Sequence, residues 1–539
     1  MHFHVYDIET YPNVFTIAFK DFTSGHKVVF EISDRVDQTD EYLSHLQMLR
    51  NTDDTYMVGF NNVGFDYPIV HRVYQSSGRM GYEGAYEMCQ QIIGSDDQFR
   101  HIVWDDDMII PQIDLYKIHH FDNSARRTSL KQVEFNMRVT NLQDLPFPPG
   151  TVLNGSQIDT LKYYNLEGDV ENTALLLEET LPAIEFRMTF GPKWVNYNDT
   201  KIGKKYFIGR LEDSGIKCFH EDRKPRQTRR NSIDLNDAVL PYIKFHHPEF
   251  QRIHQWFKQQ IITETKGIFT DVSCTVDGFQ YDFGLGGIHG SVDSQTVESD
   301  DTMILEDWDV ASYYPHLAIA KRIYPEHLGP EFCDIYTDVY NRRKSHAKGT
   351  PQNAAMKLAL NGVYGDSNNR YSPFYDPLYT MRITINGQLL LCMLSETLKR
   401  VVPELQMIQI NTDGLTIKYP RNKQSQVHDI CVWWERLTLL TLENVEYKTM
   451  YVRDVNNYIA VSVDGKVKRK GAYEYDREHH QNHSALVIPK AASMVLLEGH
   501  SAASAVLSHE NLYDFLIFKK APRFELDGQP VQGRTRYYV

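Results

Sequence analysis

The stretch IQINTDGLTIK, residues 408–418, alternates apolar and polar residues on both sides of Asp413-Gly414, a pattern that predicts a β-hairpin with one carboxylate at its tip. A lone turn carboxylate does little chemistry, and Asp309 supplies a partner. It closes an apolar-rich strand in DTMILEDWDVASYYPHLAIAKR, which turns through Ser-Tyr-Tyr-Pro into a helix whose early proline its first turn tolerates. Two strand-end carboxylates meeting across one antiparallel sheet can hold a pair of divalent ions against a transferring phosphate. Between them, QNAAMKLALNGVYG predicts a helix. Lys357, Asn361 and Tyr364 stand at i, i+4 and i+7 and share one face. A lysine, an amide and a phenol beside two metal-binding acids suit a triphosphate, its sugar and its base.

The N-terminal third repeats the arrangement for a second site. HFHVYDIET is an alternating strand ending in Asp7 and Glu9, which point to one face because strand side chains have period two and which together ask for a cation. NNVGFD places Asn62 and Asp66 at the end of another short strand, and YYNLEGDVENT places Asp169 before a leucine-rich helix.

The elements that must position these residues belong to a large chain. Its 539 residues are enough for roughly three or four domains, and 42% hydrophobic with 24% charged residues is ordinary globular composition. The six cysteines never form a CxxC pair, so zinc-ribbon and iron–sulfur spacings are absent and reduced thiols of a cytoplasmic protein are expected. No apolar run approaches the ~20 residues of a membrane span, and the start MHFHVYDIET lacks a basic-then-apolar leader. The formal charge of −14 sets the chain as a whole against phosphate, but enzymes that hold metals against phosphates concentrate carboxylates, so local basic clusters are the informative quantity. Two exist, NRRKSHAK at 341–348 and GKVKRKG at 465–471. FGLGGIHG at 283–290 is glycine-dense, which suits close approach of backbone to a ligand.

In this order and spacing, DVASYYP, KLALNGVYG and NTDG resemble the three polymerase motifs of family B DNA polymerases, written DxxSLYP, KxxxNSxYG and YxDTD. HFHVYDIET, NNVGFD and YYNLEGDVENT resemble the three exonuclease motifs of a ribonuclease-H-like 3′–5′ proofreading domain, written DxE, Nx2–3(F/Y)D and YxxxD. The resemblance implies an α/β and α+β multidomain fold, with a ribonuclease-H-like exonuclease domain and a right-hand polymerase of palm, fingers and a short or truncated thumb. The implied boundaries are exonuclease 1–190, connecting segment and start of palm 191–299, palm with the first motif 300–330, fingers 331–366, palm 367–480 and start of thumb 481–539. The expected activity is template-directed extension of a primer 3′ end with deoxynucleoside triphosphates, with proofreading hydrolysis, as in small phage replicative polymerases working in a bacterial cytoplasm.

By the same resemblance Asp309, Asp413 and the Val310 carbonyl would hold two Mg2+ ions, and Asp7, Glu9, Asp66 and Asp169 another two, with Mn2+ able to substitute. Arg343, Lys344 and Lys348 would lie near the incoming phosphates and Lys357 would meet the triphosphate. Tyr314 would stack beneath the sugar and exclude a 2′-hydroxyl, and Asn361 and Tyr364 would border the nascent pair. Primer–template DNA would meet Asn62, Phe65, Gly286, Gly287, Tyr458, Lys468 and Lys470. No membrane is implied.

Several departures from the family pattern matter. Tyr164 lies five residues before Asp169 where the family has four, and Asn165 occupies the expected tyrosine position, which limits the carry-over of an orienting role to Tyr164. Asn411 stands where most relatives have the first of two acids, which leaves Asp309 as the working partner of Asp413 and Asn411 as a polar neighbour. In NNYIAV, Tyr458 of the primer-contacting motif is kept while Asn456 replaces its lysine. The short span between SYYP and the Lys357 motif lacks the insertion of protein-primed relatives. The ending VQGRTRYYV corresponds to the opening of a thumb, so weak hold on the product is expected unless a second polypeptide or a processivity factor joins. Two other readings stay open: a 3′–5′ exonuclease with a decayed polymerase half, suggested by Asn411, and a non-catalytic DNA-binding factor, which the intact acids oppose.

Overall fold

The computed structural model describes residues 1–97, 99–520, 524–526, 529–531 and 534–538, with side chains through Lys519. The chain is a mixed α/β multidomain protein of two compact units. One comprises Met1–Asp199, Asp476–Leu486 and Glu510–Val539, and the other Thr200–Tyr475 and Val487–His509. The segment read as the start of a thumb is thus divided between them. Parts of its ending, residues 521–523, 527–528, 532–533 and 539, lie outside the described residues.

In the first unit β1 (His2–Tyr11), β2 (Val14–Asp21) and β3 (Lys27–Ser33) form an antiparallel meander. β4 (Thr55–Gly59) and β5 (Gln112–Asp114) add in parallel on the other edge of β1, in the order β3-β2-β1-β4-β5. A parallel neighbour needs a crossover, and helix α1 (Thr39–Asn51), with Asp40 and Glu41 in its first turn and Arg50 in its last, provides it between β3 and β4. The period-two alternation of β1 sends Tyr6 and Ile8 into one apolar cluster with Tyr42, Leu46 and Tyr67. Phe3 and Val5 enter another with Leu176, Leu177 and Ile184. Asp7 and Glu9 continue the Phe3–Val5 face beyond its apolar part, so the strand that builds the core also delivers the acids.

The second unit is organised on a ten-stranded sheet. Its strands are β6 (Ser273–Val276), β7 (Phe279–Phe283), β8 (Ile288–Ser291), β9 (Gln295–Glu298), β10 (Met303–Val310), β11 (Gln406–Asn411), β12 (Gly414–Pro420), β13 (Leu442–Asp454), β14 (Asn457–Ser462) and β15 (Val467–Lys470). They run antiparallel in the order β15-β14-β13-β10-β12-β11-β8-β7-β6, with β9 also on β13. β10 again divides by parity. Ile304, Trp308 and Val310 pack with residues of the long buried helix Pro377–Val401, whose N-cap Asp376 accepts from the Leu378 amide. Leu305 joins Tyr447, Tyr458 and Ala460 on the opposite face, and Asp307 and Asp309 extend that second face. Two further helices, Glu331–Ser345 and Pro351–Gly365, carry the central basic cluster and the Lys357 motif. No helix among the described residues is long and apolar enough to cross a membrane.

Candidate active sites

The first site gathers acids from separate segments. Asp7 and Glu9 come from β1. Asp66 begins the helix Asp66–Gln75 rather than ending a strand, and Asp169 lies in a π-helical turn, Asn165–Val170, between the helices Gly155–Tyr164 and Glu171–Met188. Carboxylate oxygens of Asp7, Glu9 and Asp169 all fall within 4.8 Å of one another. Burial, and then repulsion from the neighbouring acids, holds the carboxyls of Asp7 and Glu9 well above the usual range. Burial likewise lifts Asp66 to about 7, against hydrogen bonds from its own and the Ile8 amide.

The π turn corrects the expectation for Tyr164. An i→i+5 turn accommodates one extra residue in a helix and recurs at functional sites. Here it absorbs the five-residue spacing: the Tyr164 hydroxyl donates to Asp169 Oδ2 at 2.9 Å. The inserted Asn165 donates through Nδ2 to Asp7 Oδ2, also at 2.9 Å. The helix before this turn is tied to β3 by a buried carboxylate, Glu31, which receives Arg35 Nε at 2.7 Å and Lys162 Nζ at 3.1 Å.

Lys131, beside this cluster, escaped the sequence reading. Lys131 is buried, pairs with Asp169 and with Glu134, and lies 4.9 Å from the Tyr164 ring centroid. Burial pulls its ammonium down, but the two acids more than offset that and raise its pKa. Its only trace in the sequence is an i, i+3 Lys–Glu pair, which is common on solvated helices. Asn62 is fully buried, with Nδ2 on Gln112 Oε1 at 2.9 Å, and Phe65, three residues on, is half-buried.

The second site is assembled by strand register. Asp309 lies opposite Gly414 on one side and Glu443 on the other. Asn411 pairs with Gly414, so the hairpin turn is Thr412-Asp413, with Thr412 left-handed at φ 46°, one residue earlier than the Asp-Gly reading. Gly414 is needed for another reason: a Cβ there would run into the Asp309 carboxylate and the Trp308 carbonyl. The Val310 amide donates to the Asp413 carbonyl at 2.7 Å, closing β10 against the turn.

Burial lifts Asp309 to about 7, reinforced by Asp307, Asp413 and Glu443 and opposed by Lys468. Asp413 is raised by burial against its own amide, Lys468 and Lys470. Beneath the pair Asp307, two residues before Asp309 on the same strand face, accepts from Thr416 Oγ1 (2.6 Å), Tyr447 (2.8 Å) and Lys468 (3.3 Å). Lys468 also lies 5.8 Å from the Tyr458 ring centroid, and Lys470 is the register partner of Tyr458. Asp307 and Glu443 were missed, although the i−2 spacing of Asp307 in an alternating strand was a usable signal.

A cavity of about 350 Å3 is lined by Ser312, Arg343, Lys344, His346, Lys348 and Glu443, the register partner of Asp309. Arg343 Nη1 donates to Ser312 Oγ at 3.3 Å, while Lys348 lies past the end of the helix that carries Arg343 and Lys344. Tyr314 donates to the Gly286 carbonyl at 2.8 Å and its ring lies 4.6 Å from that of Tyr364. Gly287, at φ 147°, has no room for a Cβ between Thr412 and Tyr314, so the glycine-dense turn seats against the site. Lys357 and Asn361 share the exposed face of their helix. Asn411 directs Nδ2 to the Val455 carbonyl at 3.5 Å.

The carboxylate oxygens of Asp7, Glu9 and Asp169 are hard donors close enough to one another to hold a divalent cation of the magnesium type; among the described residues no such group of three forms around Asp309 and Asp413. No protein-family model matches the chain, and no curated protein matches its sequence.

Proposed function

We propose that the chain is a template-directed DNA polymerase of the family B kind, with a separate 3′–5′ proofreading exonuclease site in its first unit. The observation that carries this reading is the register that sets Asp309 beside the Asp413 turn and next to Glu443, a wall of a cavity rich in Arg343, Lys344 and Lys348. Acids one register position from a wall of a basic cavity suit joining a hydroxyl to a triphosphate. The β3-β2-β1-β4-β5 order suits a ribonuclease-H-like domain. The antiparallel sheet suits a palm, and the helices Glu331–Ser345 and Pro351–Gly365 suit fingers.

In the second unit the primer 3′ oxygen would bond to the α-phosphorus of a deoxynucleoside triphosphate. The bond to the pyrophosphate oxygen breaks and the hydroxyl proton leaves to solvent. Arg343, Lys344, Lys348 and Lys357 take up triphosphate charge, and Tyr314, held by Gly286, lies beneath the sugar. In the first unit a water oxygen would bond to the phosphorus of the terminal phosphodiester. The bond to the penultimate 3′ oxygen breaks and that oxygen gains a proton. Mg2+ or Mn2+, held by Asp309, Asp413 and the Val310 carbonyl, or by Asp7, Glu9, Asp66 and Asp169, would neutralise developing charge on the phosphates and activate the attacking oxygen.

A primer-extension gel with and without nucleotides tests the reading. Lengthening with nucleotides and shortening without them is expected. Shortening in both lanes would instead support a nuclease with a decayed polymerase half, and no change in either lane a DNA-binding factor.

A further inference from the structure

Asn165 stands where relatives carry the tyrosine of the third exonuclease motif, so whatever it does there it does with an amide in place of a phenol. It is 0% exposed, and the π turn aims its amide into the acidic cluster, with Nδ2 on Asp7 Oδ2 at 2.9 Å. That contact turns the amide nitrogen toward the carboxylate. The other end, Oδ1, is buried with no hydrogen-bond partner. Buried polar atoms are nearly always satisfied, so an orphaned acceptor beside a cluster of acids marks a place for a donor that arrives with the substrate. Neighbouring donors are already committed: Tyr164 gives its hydroxyl to Asp169, and Lys131 its ammonium to Asp169 and Glu134.

We infer that Asn165 is a positioning residue of the hydrolytic site, with two separable tasks. Its amide hydrogen orients Asp7 for a divalent cation, and its free carbonyl oxygen accepts a hydrogen of the water that attacks the phosphodiester. The second task rests on the nuclease reading above and the first does not. An outer partner that orients a ligand carboxylate typically contributes ten- to a hundredfold to metal affinity. The one-residue expansion of the helix therefore brings two side chains to the acids, Tyr164 to Asp169 and Asn165 to Asp7, where an uninterrupted α-helix would bring one.

The test uses the full chain with Asp309→Asn in the background, so that Mn2+ titration reports on the first site. Asn165→Leu keeps the size and removes both functions, whereas Asn165→Asp keeps an oxygen acceptor and replaces the amide donor. For Asn165→Leu, with an unchanged far-ultraviolet spectrum, Mn2+ affinity should fall about tenfold. Its hydrolysis of single-stranded DNA at saturating Mn2+ should stay about tenfold low with KM for DNA unchanged. Asn165→Asp should recover most of the saturating-metal rate. Mn2+ affinity and rate both within twofold of the parent in Asn165→Leu would overturn the inference, as would an Asn165→Asp rate at saturating Mn2+ no better than leucine's. A parent chain that never hydrolyses DNA, yet loses Mn2+ affinity on Asn165→Leu, would sink the nuclease reading and leave the orienting task standing.

Discussion

The two acidic sites solve one electrostatic problem by different constructions. In the second unit Asp309, Asp413 and Glu443 are set side by side by the register of three adjacent strands, and the counter-charge, Lys468, comes from the same sheet. In the first unit the acids come from a strand, a helix N-terminus and a π turn, and the counter-charge is the buried Lys131 from yet another helix. A register-built site depends on local backbone geometry at a few positions. A site assembled from distant segments depends on whatever anchors those segments, here including the Glu31 junction with Arg35 and Lys162. Perturbations should therefore act locally at one site and at long range at the other.

The largest effect is expected at the acids themselves. Asp413→Asn should lower extension by about four orders of magnitude, ~5 kcal/mol of barrier, while degradation of single strands stays within twofold in a parallel gel assay. Next is the close packing at Gly414. Gly414→Ala should lower extension by about a hundredfold, ~2.7 kcal/mol, because the methyl group displaces Asp309. Extension within threefold of the parent would break the claim that register sets the second site.

Glu31 probes the first site at a distance. Burial opposes its ionisation, but Arg35, Ser33 and Lys162 more than compensate and hold its carboxyl below the usual range. A depressed carboxylate contributes stability that is present above its unfolded value, 4.5, and is lost as pH falls through the lower folded value. Glu31→Gln should thus cost about 2 kcal/mol near neutrality, since it leaves Lys162 without its anion and Arg35 with Asp159 alone. It should flatten this part of the acid-side decline in melting temperature, and slow hydrolysis more than extension. Equal slowing of both would remove the distinction between the constructions. The smallest effect is at Tyr314, where alanine should relax discrimination against ribonucleotides about tenfold, ~1.4 kcal/mol, in competition assays; unchanged discrimination would deny the ring its place under the sugar.

What was legible follows the same division. Period-two alternation located Asp7 with Glu9 and set Asp309 on a strand end, because the pleat dictates facing. That Asp309 and the Asp413 turn meet in one antiparallel sheet was legible because Asp309 lies near the end of its strand and Asp413 in the turn between two others. The turn itself was misread by one residue: Asp-Gly is a strong hairpin pair in isolation, but here Gly414 is reserved for the approach of Asp309, and Thr412 takes the left-handed position. Tyr164 was misjudged because α-helical spacing was assumed, and nothing in NLEGDV announces a π turn. Lys131 and Glu443 were not singled out because a lone charge is usually solvated, and only tertiary packing sets these two against the acids. The grouping of residues from 510 onward with the first unit depends on long-range packing, which local patterns do not encode.

The most direct measurement places two full-length variants on one primer–template with a mispaired 3′ end, in Mg2+ with all four nucleotides. Asp7→Asn with Glu9→Gln should leave extension intact and abolish removal of the mispaired nucleotide. Asp309→Asn should trim the primer and never lengthen it. Loss of both reactions in either variant, with the fold intact by circular dichroism, would contradict two independent sites.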